Sequence, residues 1–266
     1  MRPILSLIRA SWLVASSYRL GMVFSILGLV VTVIPTYFIA GALQPVVANA
    51  IRSEGEQYFG FVIVGTIVFT FLPTAIQGLP TAIASGLNSG TLESIWGTPA
   101  TMPQALIGLT AYPYLWNGLR AILTVIAASL LGARIDWSHG PAALLILALT
   151  ILSYVPFGLF GAAMVLAFRT TGPLPQAILI ISSLFGGVYF PTHVIPSWLE
   201  RISAFVPLAY GLRALRRVFL EGLPLRAVQG DLAILFAMNV LLLLAGILVF
   251  NRAFRYARRA GTLGQY

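Results

Sequence analysis

The chain alternates long apolar blocks with short polar stretches. A helix crosses a bilayer with roughly 20 apolar residues, so blocks of this length predict membrane spans. The pattern predicts an all-α, polytopic membrane protein of six spans, at about 20–43, 58–82, 104–131, 140–168, 174–190 and 229–251. Several of these exceed the minimum, which implies tilt or extension into water. Pro35, Pro73, Pro80, Pro113 and Pro156 fall inside them and are expected to bend the helices. The first block outruns the roughly 7–15 residues of a signal-peptide core and reads as a retained helix.

Ahead of it, residues 1–19 place Ile4, Ile8 and Trp12 at helical spacing, with Arg2 and Arg9 set apart. This predicts an amphipathic helix lying along the membrane interface, and residues 20–266 then form a single transmembrane domain.

Two connecting segments are unlike ordinary loops. In the first, about 83–103, glycines and Pro99 bracket a short helical stretch in which Thr91 is a suitable N-cap. Leu92, Ile95 and Trp96 share one face. Such an apolar knob either docks a partner protein or folds back onto the bundle. The second, about 191–228, follows Gly186-Gly187-Val188-Tyr189-Phe190-Pro191. Pro196 and Ser197 open a short helix carrying Trp198, Leu199 and Ile202, and Ser197 to Glu200 has capping-box spacing. Pro207 opens another, with Leu208, Leu212, Leu215 and Phe219 on one side and Arg213, Arg216 and Arg217 on the other. Both are too short to span and are expected to dip into the outer leaflet as re-entrant amphipathic helices.

Composition agrees with the pattern. Apolar residues make up 59% of the chain and charged residues 9%, with mean hydropathy +0.93, against about 25% charged in soluble domains. The net charge of +9 is carried by arginine alone, mostly at the flanks of apolar blocks, which fits contact with lipid headgroups rather than nucleic acid. Three arginines precede the first block, and Arg252, Arg255, Arg258 and Arg259 follow the last. This predicts both termini on the cytoplasmic side.

The chemistry that is missing narrows the function further. All seven acidic residues lie in loops or at span ends, which disfavours an intramembrane protease or a carboxylate proton relay. His139 and His193 have no clustered ligands, so no metal site is expected. The chain has no cysteine and no lysine. A P-loop needs its lysine, so this chain is expected to be no ATPase itself. One charge, Arg120, falls within the third block. It either lines the route of an anionic group or is a structural cation bonded to neighbouring carbonyls. Phe185, Tyr189 and Phe190 are candidate lining or gate residues for an apolar path.

Three motifs together resemble the permease family of type-2 ATP-binding-cassette exporters: Gly90-Thr91-Leu92-Glu93 with Thr98-Pro99, the Gly186–Pro191 run followed by Ile195-Pro196-Ser197-Trp198-Leu199, and Val206-Pro207-Leu208-Ala209-Tyr210 to Arg213. The family often has asparagine where Val206 stands. The resemblance covers nearly the whole chain. It implies that Thr91, Leu92, Glu93, Ile95 and Trp96 belong to a coupling helix that docks on a cytosolic ATPase. It also implies that Pro196, Trp198, Pro207, Tyr210 and Arg213 belong to outer helices capping the exit. The implied assembly has two ATPase subunits, which hold ATP and Mg, and a second permease copy, as a homodimer or a heterodimer. It would sit among lipids of a bacterial cytoplasmic (inner) membrane. No cofactor is expected on this chain itself. The implied activity is export of an amphipathic substrate: a drug-like molecule, a lipid or a lipid-linked glycan. A stand-alone anion transporter or channel using Arg120, or a non-transporting scaffold, are the alternatives from the residues alone.

Overall fold

The computed structural model describes residues 19–52, 54–88 and 102–259; among them all regular structure is helical, with no strand. Nine α-helices follow one another among the described residues: α1 (Arg19–Ile51), α2 (Tyr58–Asn88), α3 (Met102–Leu130), α4 (Gly140–Leu152), α5 (Val155–Phe168), α6 (Leu174–Phe185), α7 (Ser197–Ser203), α8 (Pro207–Phe219) and α9 (Gln229–Arg259). The interfacial helix expected before residue 19 and the loop helix expected around Leu92 lie outside the described residues.

Among the described residues, four stretches are long and apolar enough to cross a bilayer: Leu27–Ile51, Tyr58–Leu87, Trp137–Phe168 and Leu225–Arg259. The 29-residue α3 adds a further long helix. These cover five of the six expected spans, and the sixth differs. Helix α6 has 12 residues, about 18 Å at 1.5 Å per residue, against a hydrocarbon layer of about 30 Å. It stops at Phe185, not near 190, because Gly187 (φ +78°) turns the chain in a conformation that favours glycine.

The expected continuous span 140–168 is also interrupted. Pro156 has no N–H, and its ring would clash with the carbonyl four residues back, so α4 ends at Leu152 and α5 begins afresh at Val155. At the break the hydroxyl of Ser153 donates to the Thr150 carbonyl (2.6 Å) and Tyr154 Oη donates to Ser182 Oγ (2.8 Å). From the last helix, Asn239 Nδ2 donates to the Leu149 carbonyl (3.0 Å). Polar side chains thus take up backbone groups near a broken helix where water is absent.

Helix α2 is the axis of the bundle. In its most apolar stretch 72% is enclosed, against 11% for α1 and 17% for α9. It packs on α1, α3 and α5. The crossing with α5 is close because it uses glycine: a Cβ at Gly158 would collide with the Ala75 carbonyl oxygen, and one at Gly161 would lie 2.7 Å from Pro80. Gly186 likewise accommodates Leu208, and Ser182 receives Tyr154. These small-residue positions are used for packing within the chain. Core side chains Val68, Leu72, Ile146, Tyr154, Leu208 and Leu212 form the largest buried cluster, toward the end of the bundle that holds residues 186–228.

Candidate functional site

The loops 54–57 and 131–139 and the segment 186–228 converge on one end of the bundle. Gln57 joins the two loops by using both ends of its amide, donating to the Gly132 carbonyl (3.1 Å) and accepting from the Arg134 N–H (3.0 Å). Asp136 N–H donates to the Phe219 carbonyl (2.9 Å), tying the second loop to α8.

Helix α8 starts with Pro207 at its first turn, where a missing N–H costs nothing. It buries Leu208, Leu212, Leu215 and Val218. Gly211 brings it against Thr150 of α4, where a side chain would overlap the threonine. The apolar stripe was expected to leave Arg213, Arg216 and Arg217 together on a polar face. Arg216 departs from this: it is only 1% exposed. Its Nη1 donates to Glu54 Oε2 at 2.9 Å, Nη2 to the carbonyls of Gly187 (2.8 Å) and Val188 (3.0 Å), and Nε to the Phe61 carbonyl (3.2 Å). The guanidinium lies 3.3 Å from the centroid of the Phe61 ring. Burial pushes its pKa down to about 10, with Glu54 opposing the shift, so it stays charged at neutral pH. Tyr58 Oη adds a bond to the Tyr189 carbonyl (2.9 Å). The turn after α6 is therefore held from beneath by two buried side chains. It rests directly on α2 at Gly65, where a Cβ would overlap the Val188 carbonyl.

The expected outer residues surround this centre. Phe185 ends α6, half-buried against the main core. Tyr189 and Phe190 follow it and are exposed. Pro196 caps α7 and its carbonyl receives the N–H groups of Leu199 and Glu200. The capping box expected from Ser197 and Glu200 is absent, since the proline takes the cap position. Trp198 is exposed, whereas Pro207 is buried. Tyr210 Oη donates to the Ala204 carbonyl (3.1 Å), and Arg213 lies 5.5 Å from the Tyr210 ring centroid and pairs with Asp231 at 3.3 Å.

Arg120 lies elsewhere. It is half-buried in the middle of α3, a helix packed on α1 and α2, whereas α6 packs on α2, α5 and α7. Its Nε is buried without a hydrogen-bond partner among the described residues. One turn earlier Asn117 Nδ2 donates to Thr74 Oγ1 (2.8 Å), and Trp116 Nε1 donates to Ser25 Oγ (3.2 Å). The structure does not bring Arg120 together with Phe185, Tyr189 and Phe190. Thr91, Leu92, Glu93, Ile95 and Trp96 lie outside the described residues.

Sequence reasoning missed Arg216, Glu54 and Tyr58. Their signal is faint: one arginine at the edge of an apolar stripe, and one glutamate in a loop 162 residues before it.

Comparison with known proteins adds an independent line. Residues 4–220 match the family model described as "ABC-2 type transporter". The chain is 25% identical over 174 residues to nodulation protein J of Rhizobium leguminosarum bv. viciae, covering 64% of this chain and 65% of that protein. It is 23% identical over 176 residues to nodulation protein J of Sinorhizobium fredii (strain NBRC 101917 / NGR234), with the same 64% and 65% coverage. It is 24% identical over 113 residues to the linearmycin resistance permease protein LnrN of Bacillus subtilis (strain 168), covering 42% of this chain and 29% of LnrN. The matched stretch thus spans less than two thirds of each of these relatives.

Proposed function

The chain belongs to the ABC-2 type transporter family and is a transmembrane subunit of an ABC transporter; from that premise we propose that it is the permease through which an amphipathic substrate leaves the cytoplasm. The reading is carried by the family match over residues 4–220, which takes in the segment 83–103 and most of the outer segment 191–228. A drug-like molecule, a lipid or a lipid-linked glycan is the substrate class proposed. The resistance permease among the relatives supports the drug-like end of that range.

In this reading two copies of a separate ATPase subunit bind ATP and Mg, and two permeases, alike or different, enclose the path. Thr91, Leu92, Glu93, Ile95 and Trp96 form the coupling helix seated on the ATPase. Closure of the ATPase pair moves that helix, and the motion passes as a rigid-body shift along α2 and α3 to the opposite end. Phe185, Tyr189 and Phe190, with the outer helices carrying Pro196, Trp198, Pro207, Tyr210 and Arg213, line or cap the exit there. The assembly sits in the bacterial cytoplasmic membrane with both termini inside, and the end that holds Arg216 faces outward.

Replacing Leu92, Ile95 and Trp96 with serine is the direct test. The expected result is loss of ATPase co-purification and of ATP-driven transport in proteoliposomes, with the permease itself still folded. Intact association and transport would remove the docking assignment. The unpartnered Nε of Arg120 supports a second reading, in which this cation selects an anion without nucleotide. Anion flux through the purified chain alone in liposomes would favour it.

A further inference from the structure

Beside the hub that Arg216 forms, a crevice of about 450 Å³ opens between α2, α3 and α4, with Leu215 and Phe219 of α8 at its back. Its lining is apolar: Phe71, Ile122, Val125 and Leu147 are typical. Ile122, Leu144 and Trp137 line it and are themselves more than half exposed. In a bilayer the crevice therefore opens sideways toward acyl chains. It runs along α4 from Gly140 to Ile151, about 16 Å at 1.5 Å per residue, which is close to half of a hydrocarbon layer of about 30 Å.

A second, polar pocket of about 260 Å³ adjoins it at the loop end, lined by Glu56, Gln57, Gly60, Arg134, Leu220 and Glu221. Consecutive residues of the chain connect the two: Phe219 lines the crevice and Leu220 the pocket, and the Asp136–Phe219 backbone bond ties the end of α8 to the loop that carries Arg134. The polar pocket carries both signs of charge. Arg134 and Glu56 form a loose pair at 3.7 Å, and both are more than four-fifths exposed, so each has room for another partner. Gln57 fixes the backbone at Arg134.

We propose that this crevice and its charged pocket hold one zwitterionic phospholipid of the leaflet at this end. One of its two acyl chains lies between α2, α3 and α4. Its phosphate faces Arg134, and its ammonium group faces Glu56 and Glu221. The length of the crevice matches one leaflet, and the pairing of an apolar slot with a pocket of mixed charge at its mouth matches an amphipath that carries both charges on its head. Burial raises the pKa of Glu221, with the nearby Arg217 opposing the shift; a neighbouring ammonium would favour the carboxylate further. This lipid is a resident of the fold, and its assignment is independent of what the transporter moves.

Trp137, on the wall of the crevice, reports on it directly. The full chain and its Trp137→Phe variant are reconstituted in vesicles containing phosphatidylethanolamine or phosphatidylglycerol with brominated acyl chains. The difference in fluorescence isolates Trp137. Quenching roughly two- to fivefold stronger with the ethanolamine lipid at equal mole fraction is expected, the worth of one solvent-facing ion pair. Arg134→Gln and Glu221→Gln, both at the surface, should bring that ratio toward one. Gly118→Leu should reduce quenching by either lipid, because a Cβ there meets no atom within 4 Å and the side chain fills the slot. Equal quenching by both headgroups would reduce the crevice to ordinary solvation by the bilayer and overturn the proposal. Absence of quenching by either lipid would mean that protein, such as a second copy, covers the crevice, and would overturn it as well.

Discussion

Two arginines of this chain sit away from bulk water in opposite circumstances. Arg216 is enclosed and makes four hydrogen bonds, one of them to a carboxylate. Arg120 lies half-buried in mid-helix with its Nε unpartnered among the described residues. A charge taken out of water is tolerated when its donors are all but satisfied, and removing its counter-ion then exposes the full desolvation cost. The first arginine therefore holds the structure together. The second has no such set of bonds among the described residues, so its removal is expected to cost little stability.

Arg216→Ala tests the contrast most severely. It leaves Glu54 buried without its counter-ion and is expected to cost about 3–5 kcal/mol, read as a fall in Tm of the detergent-purified protein. Adding Glu54→Gln should recover part of that loss. Next in size, Gly65→Val pushes a side chain into the Val188 carbonyl beside Arg216, with an expected cost of about 1–3 kcal/mol from overpacking. Chemical unfolding would measure it. Tyr58→Phe removes only the bond to the Tyr189 carbonyl and should cost about 0.5–1.5 kcal/mol. At the small end, Arg120→Leu is expected to leave Tm unchanged or raise it, while transport in proteoliposomes falls. A Tm loss for Arg120→Leu as large as that for Arg216→Ala would erase the distinction.

The long spans were legible because an apolar block of 20 or more residues has few alternatives to crossing a membrane. Breaks in the spans were harder to read. Pro156 was visible, yet a proline inside a membrane helix bends some helices and ends others. Only packing against Asn239 and Ser182 shows that this one ends a helix. Helix α6 looked five residues longer because Val188, Tyr189 and Phe190 continue its apolar run, while the positive φ of Gly187 leaves no trace in hydropathy. The hub itself was hidden by geometry. On a helical wheel Arg216 borders the stripe of Leu208, Leu212 and Leu215, and a border residue turns inward only if something there receives it. The receiver, Glu54, lies in a distant loop. The Arg213–Asp231 pair also joins separate elements, though across a much shorter stretch of chain.

The distance along the chain between Glu54 and Arg216 also sets an order of events. During synthesis at about 5–20 residues per second, the sequence separation of 162 takes roughly 8–30 s to emerge. Throughout that interval Glu54 lacks the arginine that buries with it in the finished fold. The end of the bundle that holds residues 186–228 can thus close only once α8 has emerged. A nascent chain stalled before α8 leaves Glu54 without the guanidinium that neutralises it in the finished fold.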